Sequence, residues 1–141
     1  MPRYFGAVTT NYGQGHVYEL IRDYDGNESK TLEDYCENEA LLEASLSFLV
    51  EKLSGLRDCL IKNDIITMGL FPENILFQRI DDNKIIVRIV NDMGSAALIP
   101  LEYYFSCVAK KRIRKRWQRF LQTLLEMYPN DVMKILIKGI A

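Results

Sequence analysis

Six leucines constrain this chain more than any other feature. Leu42, Leu46, Leu49, Leu53, Leu56 and Leu60 are separated by 4, 3, 4, 3 and 4 residues. At about 3.6 residues per turn this spacing forms one apolar stripe, which predicts a helix over residues 38–62. A buried core helix is the simpler reading. A dimerising zipper is the alternative, although a coiled coil wants more heptads than this.

Around that helix the pattern changes period. Residues 4–10, YFGAVTT, and 16–24, HVYELIRDY, have strand character and flank the turn-rich NYGQG. Residues 23–31 form a loop, and Thr31 with Asp34 three positions later is a capping signature for a helix start. Further on, ILFQRI and IIVRIV flank DDNK, whose Asp and Asn favour turn geometry, so a β-hairpin is expected there. Residues 100–128 then give one or two helices. Pro129 ends them, and a short last helix, DVMKILIKGI, follows. Hairpin, long helix, loop, hairpin and terminal helices make an α+β fold.

A chain of 141 residues with 48% apolar and 26% charged residues is a single ordinary globular domain. No apolar run approaches the roughly 18 residues that cross a bilayer, so no membrane insertion is expected. The start, MPRYFGAVTT, lacks the basic and apolar regions of a secretory signal. Cys36, Cys59 and Cys107 fit neither a disulfide framework nor a zinc site, which makes a reducing cytoplasm the expected compartment. His16 is the only histidine, so catalytic sets built on a second one are excluded.

Residues 64–78, DIITMGLFPENILFQ, carry the functional question. A Pro-Glu-Asn triplet between two strand-like runs, followed by a hairpin and then NDMGSA, has the order of the catalytic half of the protein-kinase fold. That family's loop runs His-Arg-Asp-Leu-Lys-Pro-Glu-Asn, and a later Asp-Phe-Gly holds the metal. Here the loop is Thr67-Met68-Gly69-Leu70-Phe71-Pro72-Glu73-Asn74, and the later triplet is Asp92-Met93-Gly94. More narrowly, PRYFGAV, VYELIRDYDG, KTLEDY, IITMGLFPENIL and LIPLEYYF resemble the PhoP regulatory network protein YrbL family, a kinase-like bacterial group. The similarity extends over most of residues 1 to about 120.

The resemblance implies a kinase-like C-terminal lobe, residues 27–141, preceded by a β-hairpin remnant of the small lobe and a hinge, residues 1–26. It places Met1 well inside the family's usual chain, so the glycine-rich loop, the strand lysine and its helix glutamate are missing. The hinge, residues 22–26, would set Asp23 and Tyr24 beside a nucleotide. YGQG lies in a hairpin turn and opens no helix, so it is a turn and not a phosphate cradle.

Phosphoryl transfer depends on placing a nucleophile and neutralising phosphate charge. The position of the base is Gly69, which has no side chain, and the position of the cation is Phe71. Asn74 and Asp92 would supply hard oxygen ligands for Mg²⁺. Alternatively, Asn74 fixes the loop, Asp92 caps the turn after the second strand, and Glu73 is structural and pairs with a basic group. General-base help alone is typically worth about 10²- to 10⁴-fold, so an efficient kinase is not expected. The expectation is a degenerate, pseudokinase-like regulatory or binding protein that requires no cofactor. A weak Mg²⁺-dependent ATP-binding protein or phosphotransferase is the alternative.

Residues 1–108 carry 9 Lys/Arg against 17 Asp/Glu, a net of −8, and residues 109–141 carry 9 against 2, a net of +7. The positive half is concentrated in AKKRIRKRWQRFL, with Lys110, Lys111, Arg112, Arg114, Lys115, Arg116 and Arg119 around Trp117. On a helix, Ile113, Trp117, Phe120, Leu121 and Leu124 share a core-like side and the cations occupy the rest. Three readings are open: a solvated basic face, a dock for an acidic partner through Lys110, Lys111, Arg114, Lys115 and Arg116, or a nucleic-acid surface. A pI near 5.9 argues against a dedicated nucleic-acid binder. The first hairpin, lacking the rest of a sheet, should expose an edge that pairs with another copy or a partner protein.

Overall fold

The structure is a computed structural model that describes residues 3–67, 70–90 and 106–141. Two strands come first, β1 (Tyr4–Thr10) and β2 (Gly13–Tyr18), forming an antiparallel two-stranded sheet. The turn is tighter than the sequence suggests: only Asn11 and Tyr12 lie outside the strands. Gly13 follows at φ 117°, a conformation that a side chain would oppose. β2 also ends earlier than expected. From Ile21 the backbone finds partners elsewhere, with Ser29 N–H donating to the Ile21 carbonyl (3.2 Å) and Tyr24 N–H to the Arg79 carbonyl (2.9 Å). The connector is thereby tied to the body of the protein rather than to the hairpin.

β3 (Lys30–Thr31) leads directly into α1 (Leu32–Glu37). The expected cap is present and reciprocal: the Thr31 hydroxyl accepts from Asp34 N–H (3.2 Å), and the Asp34 carboxylate accepts from Thr31 N–H (2.8 Å). The leucine stripe then spans two helices, α2 (Glu39–Ala44) and α3 (Leu46–Lys62), and not one. The break is at Ser45, whose ψ of 6° departs from helical geometry and whose hydroxyl makes no cap bond. The backbone bonds nevertheless run on through it, Ser45 N–H to the Leu41 carbonyl (3.0 Å) and Leu49 N–H to the Ser45 carbonyl (2.9 Å). The stripe still works across the break. Leu42, Leu49, Leu53 and Leu60 are buried, and Leu46 and Leu56 pack against them half-buried.

A 3₁₀ turn (Pro72–Asn74) opens β4 (Ile75–Arg79), which pairs with β5 (Ile85–Ile89) as the predicted second hairpin. β3 adds to the other edge of β4, giving the order β3-β4-β5. α4 (Ser106–Met127) and α5 (Asp131–Ile140) close the chain, and Pro129 lies between them. With helices and antiparallel sheets together, the fold is α+β.

The core joins α3, α4 and α5 to the three-stranded sheet. Ile113, Trp117, Phe120, Leu121 and Leu124 of α4 are all buried, as the helical phase predicted, along with Met133, Leu136 and Ile140 of α5. The Trp117 indole N–H donates to the Ile140 carbonyl (3.1 Å), and Arg57 Nη1 donates to the carbonyls of Ile140 and Ala141 (3.1 and 2.8 Å). Burying a large apolar side chain contributes roughly 1.5–3 kcal/mol, so this face anchors α4 in the core.

Candidate functional site

The Pro-Glu-Asn loop is held from both sides. Ile66, Thr67, Leu70 and Pro72 are buried, and Asn74 N–H donates to the Phe71 carbonyl (3.0 Å). The Asn74 carbonyl in turn accepts from Val90 N–H (2.9 Å), fastening the turn to the far end of β5. Phe71, at the position the kinase resemblance reserves for a cation, is 43% exposed. Gly69 and the triplet Asp92, Met93, Gly94 lie outside the described residues. Glu73 does not have the basic partner expected of it among the described residues. It faces other acids instead. Burial and the nearby Glu37, Glu73 and Asp34 push the Glu33 carboxyl up.

The connector places Asp23 and Tyr24 at the other end of β4. Asn74 and Arg79 lie five strand steps apart, about 16 Å at roughly 3.3 Å per residue. Asp23 is buried and fully engaged. Its Oδ1 accepts from Ser29 Oγ (2.7 Å) and Arg79 N–H (2.9 Å), and its Oδ2 from Arg79 Nε (2.8 Å). Burial by itself pushes the pKa of this carboxyl up, and the bonds from Arg79 and Ser29 more than offset it, leaving Asp23 below the usual carboxylate range. Arg79 also reaches Asp25 (2.6 Å), and its guanidinium lies 5.5 Å from the centre of the Tyr24 ring, within cation–π range. Tyr24 donates its hydroxyl to Asp82 in the turn of the second hairpin. A pocket of about 330 Å³ opens here between Asp23, Lys30, Tyr35, Phe77 and Arg79. Arg79, Ser29 and Asp25 were not foreseen from sequence. The only available signal was the pair of carboxylates flanking Tyr24, which names no partner.

The cations of α4 divide into separate groups. Lys111, Arg112, Lys115, Arg116 and Arg119 line one groove of about 420 Å³ with Val108. Arg114, one turn on from Lys111, lines a different pocket, with Arg57, Asp58 and Gln118. Lys110, half-buried, lines neither. The expected partner-binding set is therefore brought together only in part.

Residues 1–125 match the family described as PhoP regulatory network protein YrbL. The chain belongs to that family. It is 36% identical over 121 residues to the "Uncharacterized protein YrbL" of Escherichia coli (strain K12), a match covering 86% of this chain and 57% of the relative. The protein of the same name from Shigella flexneri matches to the same extent. The chain thus spans a little over half the length of these curated YrbL relatives. No solved structure matches it significantly.

Around the Pro-Glu-Asn turn of this YrbL-family chain, Phe71 presents an exposed ring and Glu73 adds negative charge beside Glu33. No group of three or more His, Cys, Asp or Glu side chains is arranged to hold a metal among the described residues. His16 is occupied on the hairpin, with Nδ1 3.1 Å from the Tyr4 hydroxyl. No helix among the described residues is long and apolar enough to cross a membrane.

Proposed function

We propose that this chain is a regulatory binding module on a protein-kinase-like scaffold, without phosphotransfer activity. The exposed Phe71 carries this reading. It stands in a well-fixed loop, before a 3₁₀ turn and a hairpin in the order the kinase resemblance requires, yet it offers an apolar ring to solvent. A loop that kept its frame for catalysis would keep a charge there. The relatives' family name refers to the PhoP regulatory network, and we carry the regulatory role to this chain as part of the proposal.

Two surfaces serve binding in this reading. One is the basic face of α4. The other is the free edge of the first hairpin, which pairs with another copy of the chain or with a partner protein. Asp23 and Tyr24 hold the connector in place instead of a nucleotide, and Asn74 fixes the loop.

A thermal-shift titration with ATP and Mg²⁺, run beside Asp92→Ala, tests the absence of chemistry. A ligand at about 100 times its dissociation constant stabilises the native state by roughly 2.7 kcal/mol, which such a titration detects. The expected result is no shift at millimolar nucleotide for either protein. A shift in the wild type that disappears in Asp92→Ala would overturn the proposal in favour of an Mg²⁺-dependent nucleotide-binding protein using Asn74 and Asp92.

A further inference from the structure

The basic groove on α4 has a more specific reading, which rests on the binding-module proposal above. Lys111, Lys115 and Arg119 are exposed and follow one another at intervals of four residues. With a rise of about 1.5 Å per residue, neighbouring cations in this row lie roughly 6 Å apart along the axis. None of the three has an ion-pair partner among the described residues. No carboxylate is among the described residues lining the groove.

We infer that the groove lined by Lys111, Lys115 and Arg119 binds an acidic, Asp- or Glu-rich segment of a partner protein. An extended peptide presents every second side chain on one face, about 6.6 Å apart. That interval fits the row of cations. Alternate carboxylates would each meet one cation.

Two other polyanions compete for such a face, and the structure disfavours both. Single-stranded nucleic acid needs aromatic platforms on which bases stack. Trp117, the aromatic that the sequence places among these cations, is buried in the core with its N–H bonded to Ile140. Phe120 is buried as well. An anionic membrane needs apolar side chains beside the cations. Val108, 37% exposed, is the one apolar residue lining the groove among the described residues.

The test uses fluorescence anisotropy of a labelled, short peptide of alternating Glu and Ser. An oligothymidylate of equal charge and phosphatidylserine-containing vesicles serve as competitors. The peptide should bind saturably, and more weakly as salt rises. Lys111→Glu with Lys115→Glu should weaken it by about tenfold or more, about 1.4 kcal/mol. Lys110→Glu with Arg114→Glu makes the same charge change outside the groove and should leave binding within about twofold. Circular dichroism melts check folding, and Lys111→Gln with Lys115→Gln replaces the charge-reversed pair if that pair does not fold. No saturable peptide binding, equal loss in both double variants, or preference for the oligothymidylate or vesicles would each overturn the inference. A nucleotide-dependent thermal shift would sink the non-catalytic proposal without touching this one, so the two failures are distinguishable.

Discussion

Arg79 Nε donates to Asp23 Oδ2 across 2.8 Å, joining a connector and a strand that are 56 residues apart in sequence. The two ends of the pair differ in environment. The Asp23 side chain is 7% exposed, while that of Arg79 is 43% exposed and extends on to Asp25. A buried carboxylate is stable only when its lone pairs are matched, and here Ser29 and the Arg79 backbone supply the remaining bonds. The same connector could not have extended β2, because its polar groups are used here.

Replacing Asp23 should therefore destabilise the protein. Asp23→Ala leaves the Ser29 hydroxyl and the Arg79 N–H without their acceptor, a loss expected to cost about 1–3 kcal/mol. The pH dependence follows from the direction of the shift. Asp23 lies below its ordinary value in the folded state, so its contribution is complete above the unfolded value of roughly 3.9 and lost as pH falls through the lower folded value. Urea melts of wild type and Asp23→Asn should differ by a constant amount from pH 7 down to about 5, and the gap should close below about pH 4. A gap that widens with acidification would mean the carboxylate is not the stabilising form.

Much of the fold could be read from local pattern, and the candidate site much less. The leucine stripe, the Thr31–Asp34 cap and the apolar phase of α4 each depend on residues within a turn or two of one another, and all appear as expected. The break at Ser45 did not, because the side-chain stripe continues through it and only the backbone changes. The Asp23–Arg79 pair was invisible for another reason: nothing periodic links residues from a connector and a remote strand. The basic run was legible as charge. Which of its cations line one groove depends on the tertiary structure around α4, where Lys111 and Arg114 line different pockets.

The cysteines report on the core. Burial pushes the Cys36 thiol up to about 12, with Glu33 and Glu37 adding to the effect, so it remains a protonated, inert thiol near neutral pH. Cys59 and Cys107 are exposed. An aromatic disulfide reagent should titrate two thiols rapidly in the native protein and the third only on denaturation. Three thiols reacting at one rate would show that the cluster of Leu32, Leu42 and Cys36 opens readily.

The first hairpin should make the protein associate. In β1 and β2 every residue except the half-buried Gly6 and Gly15 is exposed, so neither strand contributes a buried side chain to the core. Residues 4–18 carry no Asp, Glu, Lys or Arg, and Tyr4, Phe5, Val8, Val17 and Tyr18 present apolar surface to water. Local contacts such as the Tyr4–Tyr18 ring pair, 5.1 Å apart, add about a kcal/mol, and a two-stranded hairpin by itself is marginal. Antiparallel pairing with the same edge of a second copy would give four strands and place no like charges together. Natural edges avoid this with lysine or proline, neither of which occurs here. Sedimentation velocity over a wide concentration range should therefore show mass rising above that of one chain. Val8→Lys, which puts a charge on the edge, should shift the equilibrium towards monomer without lowering the main unfolding transition. A wild-type protein that stays monomeric throughout, with hairpin amides still protected from exchange, would show that β1 and β2 stand alone.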